Sequence, residues 1–462
     1  MRRLLLRVAS AWAGVIPLAA MAALAAAGGI AALAALAATS PLAAQMTPGA
    51  PKPAPAYVIR NATIVPVTAA RINNGNVVMQ GGRITAVGPN AAVPAGATVI
   101  DGTGLFVYPG LINSGTYIGL DEIGSVPGGN DRTELGEFNP HDVALSAVNP
   151  HSELIPVARY NGLTSAITAP TGGLISGQAS LVDLSGWTGD EMAVKRSAGL
   201  VVNYPRAGGR GGRGGGGGRG GAQSAEDVNE TLRHLREYFA NAKAYSDVKA
   251  KLATGAPGKQ KTDLAMEAMV PVMRGESPVI FEAGTVAQIR GALAFADSFK
   301  LKPIIRGGHE AWQLADTLAA RKVPVIVGPI YAAPDPEAPY DEIYANPGVL
   351  AKAGVTIAFQ TGGASSIRDL PFEVALTVGF GLDPDDAIKA ITINPAQIWG
   401  VADRLGSIET GKVANLFVTT GDPLDPRSHV RYLFIRGEQV PLVDRHTKLY
   451  EEFRARPKPP KR

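Results

Sequence analysis

The 462-residue chain contains no cysteine. That absence excludes disulfides, a thiol nucleophile, thiolate metal sites and an acylated N-terminal cysteine, though it names no compartment. Histidine is scarce: His141, His151, His234, His309, His429 and His446 are all there are, and no two stand within five positions of each other. The closely spaced imidazole pair that marks a local metal site is therefore missing. An excess of one charge is missing too. Against 44 basic residues stand 40 acidic ones, a formal net charge of +4, which favours neither nucleic acid nor a membrane surface as a partner. With 46% hydrophobic and 18% charged residues, the chain has the apolar mass for one large α/β domain with an appendage, or for two to three domains.

Charge is wholly absent from Val8 to Pro51, after a start that holds Arg2, Arg3 and Arg7. A positive start, a long Ala/Leu run and the small residues around Ala43-Ala44 predict a secretory signal over 1–44, cut near Ala44. The alternative is an uncleaved anchor, since the run is long enough to span a bilayer. Either reading expects the functional domain outside the cytoplasm, in the periplasm or cell envelope. A membrane is a partner only if this segment stays attached.

Residues 45–56 form a Pro/Ala linker too rich in proline for helix or sheet. From Tyr57 the pattern is that of strands, over Tyr57–Val67 and Asn76–Gln80, and Gly81-Gly82 before Arg83–Val87 predicts a tight hairpin. After Pro109 short apolar runs alternate with helical patterns. The runs are Ser165–Ala169, Gly199–Tyr204, Pro278–Phe281, Pro303–Ile305, Pro324–Val327 and Val355–Phe359. Helices are expected at Thr285–Phe299, at Glu310–Ala320, and where Val228, Leu232, Leu235, Phe239 and Ala242 mark one buried face. Such alternation favours a parallel sheet closed into a (β/α)8 barrel over 109–400. Asp383-Pro384 starts a helix expected to stop near Asn394-Pro395. Strands return at Asn415–Val418 and Tyr432–Ile435, so 57–108 and 401–445 are expected to build one small β-sandwich from both ends of the chain, with 446–462 as a tail. Gly208–Gly221 holds eleven glycines and three arginines, and 206–224 is read as a flexible insertion in the barrel.

Four motifs carry a resemblance. Asp101-Gly102-Thr103-Gly104 followed by Tyr108-Pro109-Gly110-Leu111-Ile112-Asn113 resembles the segment that leads amidohydrolases into their first barrel strand. Gly172-Gly173-Leu174-Ile175-Ser176-Gly177-Gln178 is similar to a signature of secreted, imidazolonepropionase-like members. Thr392-Ile393-Asn394-Pro395-Ala396 and Leu405–Lys412 look like the closing helix and the re-entry into the sandwich. The resemblance runs from about Tyr57 to Val440. It implies a hydrolase of non-peptide or dipeptide-like C–N bonds, whose histidines and aspartate at the strand ends hold a divalent ion such as zinc to activate water.

By the same resemblance those ligands are replaced here. The first His-x-His pair falls on Gly115 and Tyr117, the mid-barrel histidine on Glu282, the next on or beside Gly307. The last strand ends Gln360-Thr361-Gly362-Gly363 without the aspartate, and Asn113 and Asn415 each stand where Asp is usual. No metal or other cofactor is therefore expected.

Since the active sites of such barrels lie at the C-terminal strand ends, the remaining polar residues there are the candidates. Glu282 and His309 are the catalytic ones. Asn113, Tyr117, Arg306, Thr361 and Arg368 are the substrate-binding ones. Glu282 is a general base, a weak ligand, or half of an ion pair with Arg306 on the adjacent strand, and opposite charges at one level favour the pair. His309 either reaches Glu282 or caps a helix. Asp335, Glu337, Asp341 and Glu342 read as a solvated acidic loop. Three functions remain open: a metal-poor C–N hydrolase, a non-catalytic paralogue that binds a small molecule or scaffolds an active homologous subunit, and an inert envelope module.

Overall fold

The computed structural model describes residues 56–123, 126–206, 224–333 and 338–457. The 1–44 segment, most of the glycine-rich insertion, and Asp335 and Glu337 lie outside these residues.

Sixteen strands are present among the described residues: β1 (Tyr57–Ile64), β2 (Ile72–Gln80), β3 (Arg83–Gly88), β4 (Thr98–Asp101), β5 (Phe106–Pro109), β6 (Leu111–Thr116), β7 (Leu163–Thr168), β8 (Ile175–Asp183), β9 (Ala193–Asn203), β10 (Val279–Ala283), β11 (Pro303–Gly307), β12 (Val325–Val327), β13 (Ile357–Phe359), β14 (Leu416–Thr419), β15 (Val430–Ile435) and β16 (Glu438–Val440). They form two sheets. The strands β6 to β13 lie side by side in chain order, and the ends meet where Gly362 N–H donates to Gly115 O at 3.0 Å, so the sheet curls into a nearly closed barrel. The other sheet runs β16-β15-β14-β5-β1-β2-β3, with β4 on β1. Its two halves join where β14 pairs antiparallel with β5, so strands that precede and follow the barrel in sequence share one sheet.

The hairpin at Gly81-Gly82 forms as the two glycines require, with φ of 58° and 78°, a region side chains with a Cβ avoid. In the barrel, Ile112, Ile167, Leu181, Val201, Ile280, Ile304 and Ile326 point inward and fill the interior, as in other barrels of this kind. Trp399, 1% exposed, plugs the same core, and its indole N–H donates to Ser114 Oγ at 3.3 Å. Such burial stabilises by about 1.5–3 kcal/mol per large side chain.

The barrel departs from full parallelism at β8, which is antiparallel to both β7 and β9. The glycine signature explains how. Gly172 and Gly173, at φ 90° and 60°, turn the chain into β8, and a Cβ on Gly173 would stand 2.8 Å from the carbonyl oxygens of Gly136 and Glu137. Gln178 then donates to Pro140 O at 2.9 Å. The motif that carried part of the resemblance thus builds backbone.

Two expectations need correction. The helix begun at Asp383, whose carboxylate accepts from Asp385 and Asp386 N–H, ends at Lys389, and a second helix, Ile393–Ile398, runs through Asn394-Pro395. Proline is tolerated in a first turn because its missing N–H has no partner there in any case. The segment expected as a tail from 446 belongs instead to a helix, Arg445–Arg454, capped by Asp444, which accepts from Thr447 N–H at 2.7 Å. No helix among the described residues is long and apolar enough to cross a membrane.

Candidate active site

Parallel pairing sets the level of each side chain at the barrel mouth. Glu282 on β10 is in register with Arg306 on β11 and with Asn203 on β9. Because Ile280 and Ile304, two positions earlier, face the interior, strand alternation turns Glu282 and Arg306 inward as well. They form an ion pair through Arg306 Nε and Nη2 on one carboxylate oxygen. The arginine side chain is 4% exposed and the glutamate 31%, so the cation is the deeper partner.

The remaining positions of the expected ligand set are occupied in their own ways. Gly115 is covered by Gln360, for a Cβ there would meet Gln360 Oε1 at 2.4 Å. Gln360 is held by its amide donating to Gly328 O at 2.8 Å. Gly307 has φ 97°, a conformation an imidazole-bearing residue adopts only under strain. Asn113 and Thr361 are both buried: Asn113 Nδ2 donates to Thr361 Oγ1 at 2.8 Å, and Asn113 Oδ1 accepts from Gly115 N–H at 3.0 Å. These two also fasten the seam between β6 and the turn after β13.

Tyr117 remains half-buried, with the Arg132 guanidinium 5.0 Å above its ring. Burial pushes its phenol up, and Arg306 offsets part of that rise. Arg132 is paired with Asp121 at 3.2 Å. His309 lies on the exposed loop after β11, and no hydrogen bond or ion pair joins it to Glu282. It does not cap the helix that follows either, since Glu310 holds that position. Burial among the surrounding protein, and next Arg206, hold its imidazole below the ordinary histidine value. Arg368 is displaced from the mouth altogether. It lines a groove with Val157, Tyr160, Phe372, His446 and Tyr450, and it neighbours Asp369 at 3.5 Å.

Of the seven residues singled out from the sequence, then, four are joined in two pairs, Glu282 with Arg306 and Asn113 with Thr361. Sequence reasoning missed Asn203, whose amide donates to Gly172 O, Gly173 O and Ser176 Oγ at 3.2, 2.7 and 3.0 Å. Its position at the end of the run Gly199–Tyr204 was the available signal. Missed too was Glu373, buried at 1% exposure in the helix Leu370–Gly379, which accepts from Ile330 N–H at 2.6 Å behind the loop after β12. Burial pushes its carboxyl up to about 7.

The donor set does not fit a divalent ion of the usual kind. Among the described residues, no three His, Asp or Glu side chains converge on one point. Among the described residues, the expected ligand positions hold one carboxylate bound by an arginine, a tyrosine, and glycines of which Gly115 is covered by the Gln360 amide. Such groups fall short of the three to four imidazole and carboxylate ligands a zinc site requires.

The family model described as the amidohydrolase family matches residues 306–440. An amidohydrolase of Hapsidospora irregularis is 22% identical over 382 residues, covering 76% of this chain and 38% of that protein. Imidazolonepropionase of Flavobacterium johnsoniae is 34% identical over 89 residues, covering 18% of this chain and 21% of that protein. The chain thus spans well under half the length of these curated relatives. A solved amidohydrolase from Thermotoga maritima superposes with a TM-score of 0.74 at 29% identity, covering 83% of this chain and 99% of that one.

Proposed function

Taking as premise that the chain belongs to the amidohydrolase superfamily, we propose that it keeps the mouth of a C–N hydrolase without that family's metal-dependent hydrolysis. The barrel then serves as a binding or scaffolding module for a small molecule or for an active homologous subunit. The observation that carries this reading is the Glu282–Arg306 ion pair, which sets a guanidinium at the level where the resemblance puts a metal ligand. A buried cation already bound to the single carboxylate leaves no anionic cluster to attract a second cation.

The covering of Gly115 by Gln360 and the φ of Gly307 support the same reading. Export to the periplasm or cell envelope is part of the proposal and rests on the arginines and uncharged run of 1–51.

Hydrolysis of N-acyl dipeptides and cyclic amides, measured with and without added zinc or manganese, tests the proposal. No turnover in either condition is expected. Metal-stimulated turnover that disappears in Glu282→Gln returns the chain to the hydrolases.

A second reading is favoured by one feature. Glu282 is 31% exposed, so its free oxygen is open to the mouth and can accept a proton from a bound ligand. Turnover without metal, abolished in Glu282→Gln, selects it.

A further inference from the structure

Arg159 ends the helix Leu154–Arg159 as a half-buried cation. Its Nε is buried without a hydrogen-bond partner, and among the described residues no carboxylate lies within ion-pair distance of its guanidinium. Charges withdrawn from water are ordinarily paired, because desolvation otherwise goes uncompensated. Here burial alone acts on the group, and it disfavours the charged form. A guanidinium held in this state has donors to offer an incoming anion.

The place where it stands is built to receive one. Arg159 lines a cavity of about 900 Å³, within the size range of small-molecule sites. At its edge Trp187 is 78% exposed, although its backbone is fixed: Trp187 N–H donates to Glu191 Oε2 at 2.9 Å, and Thr188 caps the next turn. The His151 ring meets the indole edge-on, 6.2 Å between centroids. A large flat ring held open at a cavity wall is a platform for another planar apolar group. Two further carboxylates line the cavity: Glu191, which accepts from Trp187 N–H, and Glu153, which is exposed. Arg436 donates to Glu191 O and Ser185 O and neighbours Asp183 at 3.6 Å, while Glu438 is exposed.

The cavity is separate from the mouth. Because β8 runs antiparallel, its last residue, Asp183, pairs with Ser165 near the start of β7. The loop Leu184–Trp187 that follows therefore lies at the N-terminal end of the parallel strands, beside the sandwich turn at Arg436.

We propose that this cavity binds a small aromatic carboxylate, with the carboxylate on Arg159 and the ring on Trp187. Two parallel N–H donors of a guanidinium match the two oxygens of a carboxylate, a geometry that a neutral amide does not reproduce.

Titration of the full chain with phenylacetate, phenylacetamide and inorganic phosphate, followed by thermal shift and tryptophan fluorescence, tests the proposal. Saturable stabilisation by phenylacetate is expected, with little response to the amide or to phosphate. Arg159→Met should weaken phenylacetate binding by about tenfold or more. Its melting temperature without ligand should be no lower than that of the parent, because an uncompensated charge is removed. Trp187→Leu should abolish the fluorescence response and weaken binding. The proposal is overturned if phenylacetate does not bind saturably, if phosphate binds as well as phenylacetate, or if Arg159→Met binds unchanged. A melting temperature that falls in Arg159→Met with binding intact assigns Arg159 a packing role instead.

Discussion

Glu282 and Arg306 face each other in register on neighbouring strands of the barrel, and the arginine, 4% exposed, is the more deeply buried of the two. Removing one partner leaves the other charge behind, so the two deletions are unequal. Glu282→Gln strands a buried guanidinium and should cost about 3 kcal/mol, whereas Arg306→Met leaves a carboxylate that still meets water and should cost roughly half as much. The double variant should recover most of the loss. Urea denaturation of the three variants measures this, and equal costs for the two single changes contradict the depth assigned to each charge.

Glu373 gives a pH dependence with a definite sign. Its carboxyl is raised from 4.5 to about 7 by burial. The folded state therefore holds the proton more tightly than the unfolded chain does. The stabilisation is complete below about pH 4.5 and is lost as pH rises to about 7. Glu373→Gln keeps an acceptor for Ile330 N–H and cannot ionise. It should match the parent near pH 4.5 and exceed it by roughly 2–3 kcal/mol at pH 8. Denaturant midpoints across that range decide, and a parent with flat stability there rules the account out.

Asn415 stands where the family resemblance expects aspartate, and the structure supplies a reason. Its Nδ2 donates to Asp183 Oδ1 at 2.8 Å, and Ser165 Oγ donates to the same oxygen at 2.8 Å. Burial pushes the Asp183 carboxyl up, with these donors and Arg436 opposing the rise. Asn415→Asp exchanges a donor for a second carboxylate and should cost about 2–4 kcal/mol at pH 8. The loss should shrink towards pH 4, where one of the two carries a proton. An unchanged midpoint at pH 8 excludes this role for Asn415.

Restoring a single metal ligand should fail. Gly307→His places a side chain at φ 97° and should cost about 1–3 kcal/mol without creating a zinc site. Calorimetric titration of the variant with zinc checks this. Tight stoichiometric binding shows that the mouth was one histidine short of a site.

Much of the architecture was legible because its signals are local. Two glycines fix the β2–β3 turn, Asp383 caps its helix through its own carboxylate, and Leu235, Phe239 and Ala242 recur at helical spacing on the buried face of the helix Ala225–Ala253. The antiparallel β8 was not, because serine and glycine interrupt its apolar residues and its direction depends on the Gly172-Gly173 turn against a distant loop. The helix Leu264–Met273 was hidden by Pro271 within it.

At the site, the ion pair was readable once two strands were aligned, since both residues lie at matched strand ends. The seating of Gln360 on Gly115 was not, for it joins residues far apart in the chain. Arg368 misled for the same reason. Proximity in sequence to the last strand says nothing of which way a following turn carries the side chain.

The central proposal is that an internal ion pair stands at the barrel mouth where the resemblance puts a metal ligand. Elemental analysis of the protein purified without chelator, then dialysed against excess zinc and back into buffer, tests it most directly. Far less than one equivalent of divalent metal per chain is expected. One equivalent retained by the parent and lost in Glu282→Gln would contradict it.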